Sequence, residues 1–186
     1  MGAAPVIETP RLVLRGHVPA DLKDCAAMWA HPDVVRFIGG RPFTEEEVWG
    51  RLLRYVGHWA ALDFGYWAVF ERSSGRFAGE AGFADFKREI SPPLGDAPEI
   101  GWALCPWAHG KGFATEAVKA AVEWGDGHFG PKRRTVCLIG PQNVASVRVA
   151  QKCGYVEQLR TVYKGEPTIL FARASRAASS SSTLIS

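Results

Sequence analysis

The residues with the clearest capacity for chemistry are two close glycines, Gly110 and Gly112, set between a strand-like run and a helical one. The run Glu99–Leu104 is stopped by Pro106, a turn passes through Trp107, Ala108 and His109, and helical spacing resumes at Phe113, Ala117, Ala121 and Trp124. A strand that breaks into a turn and then a helix exposes main-chain N–H groups. The first four amides of a helix have no partner inside it, and the aligned peptide dipoles add about half a positive charge at that end. A diphosphate is well held there, and glycines, lacking Cβ, let the backbone approach it closely. Lys111 and His109 add positive charge at the rim. The same two glycines also suit a plain strand-to-helix turn. Two nucleotide-binding patterns fail here: Gly112 stands where a Walker A loop needs Ser or Thr, and Thr115 replaces the third glycine of a dinucleotide fingerprint, with a hairpin rather than a βαβ unit before it.

Other elements must position this turn. Leu12, Val13 and Leu14 between Arg11 and Arg15 read as a short buried strand ending at Gly16. Asp21 opens a helix through Cys25, Ala26, Met28 and Trp29 that must stop before His31-Pro32. Thr44, with Glu47 three residues on, reads as the capping box of a second helix whose inner face carries Val48, Leu52, Tyr55, Val56 and Trp59. Two β-rich runs, 66–70 and 76–86, flank the turn signal Ser73-Ser74-Gly75 and predict an antiparallel hairpin. A Pro-rich loop leads to Glu99–Leu104; beyond the glycines come a long helix, a strand over 135–139, a helix over 142–152, and strands near 155–163 and 168–172. Strands first, then helix, strand and helix, argue an α+β sheet. Residues 1–173 are expected to form one domain, with 174–186 a disordered Ser- and Ala-rich tail.

A formal net charge of +3 on 186 residues is too mild for a nucleic-acid partner, and Lys132-Arg133-Arg134 reads as a solvated loop. Cys25, Cys105, Cys137 and Cys153 stand alone, without zinc-like spacing to any histidine, so reduced cytoplasmic thiols and no metal are expected. No apolar run approaches membrane-spanning length and the N-terminus lacks a signal-peptide pattern, so neither membrane nor export is expected.

The segment Trp107-Ala-His-Gly110-Lys-Gly112 resembles the acyl-CoA-binding motif of the GNAT superfamily of N-acyltransferases, Gln/Arg-x-x-Gly-x-Gly/Ala, with Trp107 departing from the polar first position. Two further blocks, Glu8-Thr-Pro-Arg-Leu-Val-Leu-Arg15 and Asn143-Val-Ala-Ser146 through Gly154-Tyr155, resemble the branch of ribosomal-protein N-terminal acetyltransferases. The likeness spans residues 8–173. It implies a mixed, mostly antiparallel central sheet of about seven strands, helices on both faces, and two central strands splayed to admit a pantetheine arm.

By position, Trp102, Ala103 and Leu104 then pair with pantetheine, and the amides of His109, Gly110, Lys111, Gly112, Phe113, Ala114 and Thr115 meet the diphosphate of acetyl-CoA. Asn143 suits either a hydrogen bond to pantetheine or the N-cap of its own helix. The implied reaction is direct attack of a primary amine, on a peptide or a small molecule, upon the thioester. The Leu104 N–H steadies the oxyanion. Glu99, then Glu80 and Asp85, are the candidate bases, Glu99 having a competing role as the partner of a nearby basic residue. Ala150 stands where many members of the superfamily carry an acidic Tyr, so Ser146 becomes the candidate acid. The missing Tyr also fits a non-catalytic acyl-CoA-binding module. The enzyme is expected as a monomer or homodimer.

Overall fold

The computed structural model describes residues 2–130 and 133–174. Eight strands form one sheet in the order β1-β2-β3-β4-β5-β6-β8-β7. The N-terminal arm supplies β1 (Ile7–Glu8) and β2 (Leu12–Gly16); β1 is the strand beyond the expected seven, paired Ile7 to Leu14. The predicted hairpin is present as β3 (Tyr66–Glu71) and β4 (Phe77–Ala84), with Gly75 at φ +67° in its turn, and β4 ends two residues earlier than the apolar run. β5 (Glu99–Leu104) follows antiparallel to β4. β6 (Arg134–Ile139) lies beside β5, and the β7 (Val156–Tyr163) and β8 (Glu166–Ala174) hairpin closes the far edge. β8 runs through Ala174, the first residue assigned to the tail; residues 175–186 lie outside the described residues, as does Lys132 of the basic cluster. Arg133 of that cluster pairs with Asp96 at 3.1 Å.

The helices begin where side chains can serve their free amides. Asp21 precedes α1 (Leu22–Trp29), but its buried carboxylate turns to Arg15 at 2.6 and 2.8 Å instead of capping the helix. The chain does break at His31-Pro32, and Pro32 then occupies the first position of a short α2 (Pro32–Val35), where its missing N–H costs nothing. The capping box predicted for α3 (Glu45–Leu62) is formed: Thr44 Oγ1 accepts the Glu47 N–H at 3.3 Å, and Glu47 accepts the Thr44 N–H at 2.8 Å. Val48, Leu52, Tyr55 and Trp59 are buried as expected, whereas Val56 lies off the stripe and is exposed. α4 (Phe113–His128) buries Phe113, Ala117, Val118 and Ala121, and α5 (Val144–Lys152) follows β6.

Alternation along β3 shows how both faces are covered. Trp67 and Val69 enter the apolar cluster built with α4, while Ala68 enters a second cluster with Met28 and Trp29 of α1 and Val48 of α3. Among the described residues no helix is long and apolar enough to cross a membrane.

The sheet is antiparallel except at its centre. There β5 and β6 run parallel and are registered at one pair, Glu99 with Val136, where the Val136 N–H donates to Pro98 O at 3.0 Å. Beyond that pair both strands continue without pairing to each other among the described residues. An opening in the middle of the sheet results.

Candidate active site

The glycine turn sits at one end of this opening. Gly110 and Gly112 have φ of +73° and +78°, a region where a Cβ is penalised. A Cβ on Gly110 would meet no protein atom within 4 Å, so the space in front of it is open. Gly112 is the N-cap of α4, and its carbonyl accepts the Glu116 N–H at 3.1 Å. The amides of Phe113, Ala114 and Thr115 are therefore the unpaired donors of the helix start. Lys111 holds its ammonium over Trp107, 4.7 Å from the ring centroid.

His109 differs from expectation. Its main-chain N–H already donates to Pro106 O at 3.1 Å, and its Nε2 lies 2.9 Å from Leu104 O, an acceptor, so Nε2 carries the proton. The residue ties the turn to β5 and has no free amide to offer.

The N-terminal arm braces the turn from outside. Arg11 donates from Nη1 to Lys111 O at 2.8 Å and from Nε to Glu116 at 2.7 Å, and Thr9 Oγ1 donates to the same carboxylate at 2.7 Å. Burial works against the Glu116 charge, but the donors from Thr9 and Arg11 outweigh it and hold the carboxyl below its usual range.

The Cys105 N–H donates to Ala78 O on β4 at 2.9 Å. Main-chain groups alternate sides along a strand, so those of Trp102 and Leu104 face β6 and the opening, while those of Ala103 face β4. The opening widens into a cleft of about 770 Å³. Trp102 and Ala103 of β5, Leu138 and Ile139 of β6, Asn143 at the N-cap of α5 and Ser146 within it form one part of its wall; Trp29, Arg36, Arg51, Tyr55 and Tyr163 also line it. Leu104 is buried and is not among the residues lining the cleft.

Asn143 Oδ1 accepts the Ser146 N–H at 3.1 Å, so the capping role is realised; the amide NH₂ remains as a donor. Ala150, in the position of the absent Tyr, is fully buried core.

Two buried carboxylates reach the cleft and their surroundings differ. Both oxygens of Glu99 accept from Arg88, Nε to Oε2 and Nη2 to Oε1, the latter at 2.6 Å, and Arg88 also donates to the Tyr163 hydroxyl at 3.2 Å. Glu80 accepts on Oε1 from the Tyr55 hydroxyl, while its Oε2 stands 3.8 Å from His17 Nε2. Burial and the Glu80 charge push the Tyr55 phenol well above its ordinary value, so Tyr55 stays a donor. Asp85, the third candidate, instead pairs with Lys87 at 2.6 Å and borders a separate cavity of about 280 Å³. His17, Cys25 and Glu80 place ligand atoms within 4.8 Å of one another, the one such group among the described residues.

Sequence reasoning missed Arg51, Tyr55 and Tyr163 as cleft residues. Arg51 and Tyr55 are four apart on α3 and share a face, the only local signal present; Tyr163 comes from an element distant in sequence.

Residues 11–156 match the family model described as an acetyltransferase (GNAT) domain. The chain belongs to the GNAT acetyltransferase family. This GNAT protein is 28% identical over 182 residues to YkkB, an uncharacterized protein of Bacillus subtilis (strain 168), covering 94% of this chain and 99% of YkkB. A structure assigned to the GnaT-family acetyltransferases, from Bordetella pertussis, superposes with TM-score 0.82 and 32% identity over 91% of this chain and 99% of that one. The fold is shared with the ribosomal-protein-S5-alanine acetyltransferase of Vibrio fischeri, at TM-score 0.71 and 19% identity over 92% of this chain and 97% of that one. As in its family, the protein is an acetyltransferase enzyme, and its open, mostly antiparallel eight-stranded sheet with helices is the family's mixed α+β fold.

Proposed function

We propose that the protein is an N-acetyltransferase that moves the acetyl group of acetyl-CoA directly onto a primary amine. The single observation that carries this reading is the alignment of the β5–β6 opening with the unpaired amides at the start of α4. The diphosphate binds the amides from Gly110 to Thr115, and pantetheine lies along the outward main-chain groups of Trp102, with the Asn143 amide as a further donor. The Leu104 N–H faces the same side of β5 and supplies a donor for the oxyanion.

The neutral amine attacks the thioester carbon, the C–N bond forms, and collapse of the oxyanion breaks the C–S bond. Glu80 is the base in this reading. Among the described residues its Oε2 accepts no hydrogen bond, whereas both Glu99 oxygens are held by Arg88. The departing thiolate takes a proton from the Ser146 hydroxyl on the cleft wall, and Ser146 recovers one from solvent. Four buried, unpaired thiols fit a reducing cytoplasm.

The test joins calorimetry with coenzyme A to a free-thiol release assay over amines. Micromolar coenzyme A affinity and thiol release that depends on added amine are the expected results. Thiol release unaffected by any amine would end the reading, and an unchanged kcat in Ser146→Ala would remove that residue from the mechanism.

A further inference from the structure

The part of the cleft formed by α1 and α3 carries donors without acceptors. Arg51 stacks its guanidinium on Trp29, 4.1 Å from the ring centroid, and lies 5.0 Å from that of Phe43; Trp29 and Phe43 are themselves stacked at 5.2 Å. This packing fixes the fork of a side chain that otherwise has many rotamers. Its one hydrogen bond among the described residues runs from Nη1 to the Tyr55 hydroxyl at 3.2 Å, and no carboxylate pairs with it. Its other nitrogens are not sealed in the core, for among the described residues the buried side-chain nitrogens and oxygens lacking partners are His17 Nε2, Trp29 Nε1 and Arg133 Nε. The Trp29 Nε1–H, on the ring Arg51 covers, lacks a partner among the described residues but is sealed from solvent, so of the two Arg51 alone presents donors to the cleft. A half-buried guanidinium with free donors facing a cleft calls for an anion.

The remaining charges agree. At the mouth, Arg36 and Lys164 contact only the rings of Phe37 and Tyr163 among the described residues, opposed by one exposed carboxylate, Glu166. Arg88 and Glu99 neutralise each other. What is left near Arg51 is Glu80, joined to it through one hydroxyl: Arg51 donates to Tyr55, and Tyr55 donates to Glu80. A fixed cation and a fixed anion separated by one hydroxyl match a ligand whose carboxylate and amine are separated by one carbon.

We propose that the acceptor is a free α-amino acid, its carboxylate held by Arg51 and its amine presented beside Glu80. This rests on the N-acetyltransferase reading above and names the acceptor class for that same cleft. Arg51 sets specificity; the acetyl transfer itself is unchanged.

The test compares thiol release from acetyl-CoA with free L-amino acids, the matching amino-acid amides and the matching decarboxylated amines, using wild-type protein, Arg51→Lys and Arg51→Met. Wild type is expected to favour the best free amino acid over its amide by about 10- to 100-fold in kcat/KM, the loss that follows when a hydrogen bond to a charged group is removed. Arg51→Met is expected to erase that preference mainly by raising KM for the carboxylate, leaving coenzyme A affinity intact. Arg51→Lys keeps the charge but loses the fork, and is expected between the two. Equal turnover of acid and amide by wild type sinks the inference while leaving N-acetylation standing, and so does an equal loss for both in Arg51→Lys. Release with no amine at all sinks both. Should Arg51→Met fail to fold, the wild-type comparison and Arg51→Lys still decide.

Discussion

The two ends of the cleft are built on different principles. The end proposed for the cofactor is mostly main chain: amides of the turn and of the α4 start, and outward-facing groups of β5, within residues 102–115, with the Asn143 amide as its one side-chain donor. The end proposed for the acceptor is side chain: Trp29 from α1, Arg51 and Tyr55 from α3, Glu80 from β4 and Tyr163 from β7. Backbone geometry tolerates change in side chains as long as φ and the helix start survive. A side-chain site depends on each residue and on the long-range packing that brings distant elements together. One end is thus suited to a ligand shared across a family and the other to a ligand that varies.

The difference can be broken at chosen points. The largest effect is expected from Glu80→Gln, which should lower kcat by about 10²- to 10⁴-fold, the usual worth of a general base, with coenzyme A affinity unchanged. Stopped turnover assays across pH check it; a wild-type acid limb in this variant would move the base elsewhere, Glu99→Gln being the next variant to measure.

Asp21 tests the packing behind the acceptor end. Burial opposes its charge, yet the Arg15 guanidinium and the Val18 amide outweigh burial and hold its pKa below the ordinary value. Its contribution is present above the unfolded carboxylate value of about 4 and is lost as pH falls through the lower folded value. Asp21→Asn should cost about 1.5–3 kcal/mol near pH 7, the range for hydrogen bonds to charged groups, and the gap to wild type should narrow below about pH 4. Denaturant titrations at several pH values measure this.

At the cofactor end, Gly112→Val should weaken coenzyme A binding by about tenfold or more, because a β-branched residue at φ +78° costs about 1–3 kcal/mol. The Cβ itself meets only Arg11 Nη2, at 3.4 Å, an ordinary contact. Calorimetry reads the change, and unaltered affinity would show that the turn does not shape the site. Arg11→Ala removes only the brace on Lys111 and Glu116; with Arg11 half-exposed, it should raise KM for acetyl-CoA a few-fold, roughly 1 kcal/mol, at constant kcat.

Legibility in the sequence followed the same division. The cofactor end was readable because its determinants are consecutive: Pro106 stops a strand, two glycines permit positive φ, and helical spacing starts at Phe113. The capping box, the hairpin turn and the break at His31-Pro32 are likewise local choices of backbone conformation, and each was found in place or within two residues. His109 shows the limit even there, since only the fold brings its ring against Leu104 O.

Sequence by itself determined the order and type of the elements, the positive-φ turn and the family likeness, because these depend on contacts within a few residues. Tertiary structure alone decided that β5 and β6 are registered at the single pair Glu99–Val136, that Arg88 is the basic residue that takes up Glu99, that Thr9 and Arg11 reach across about a hundred residues to Glu116, and that Arg51 faces the cleft with no carboxylate paired to it among the described residues. Pairing between side chains far apart in the chain carries no periodic signal. It is fixed by how packed layers bring their faces together, which is a property of the whole sheet and not of any segment in it.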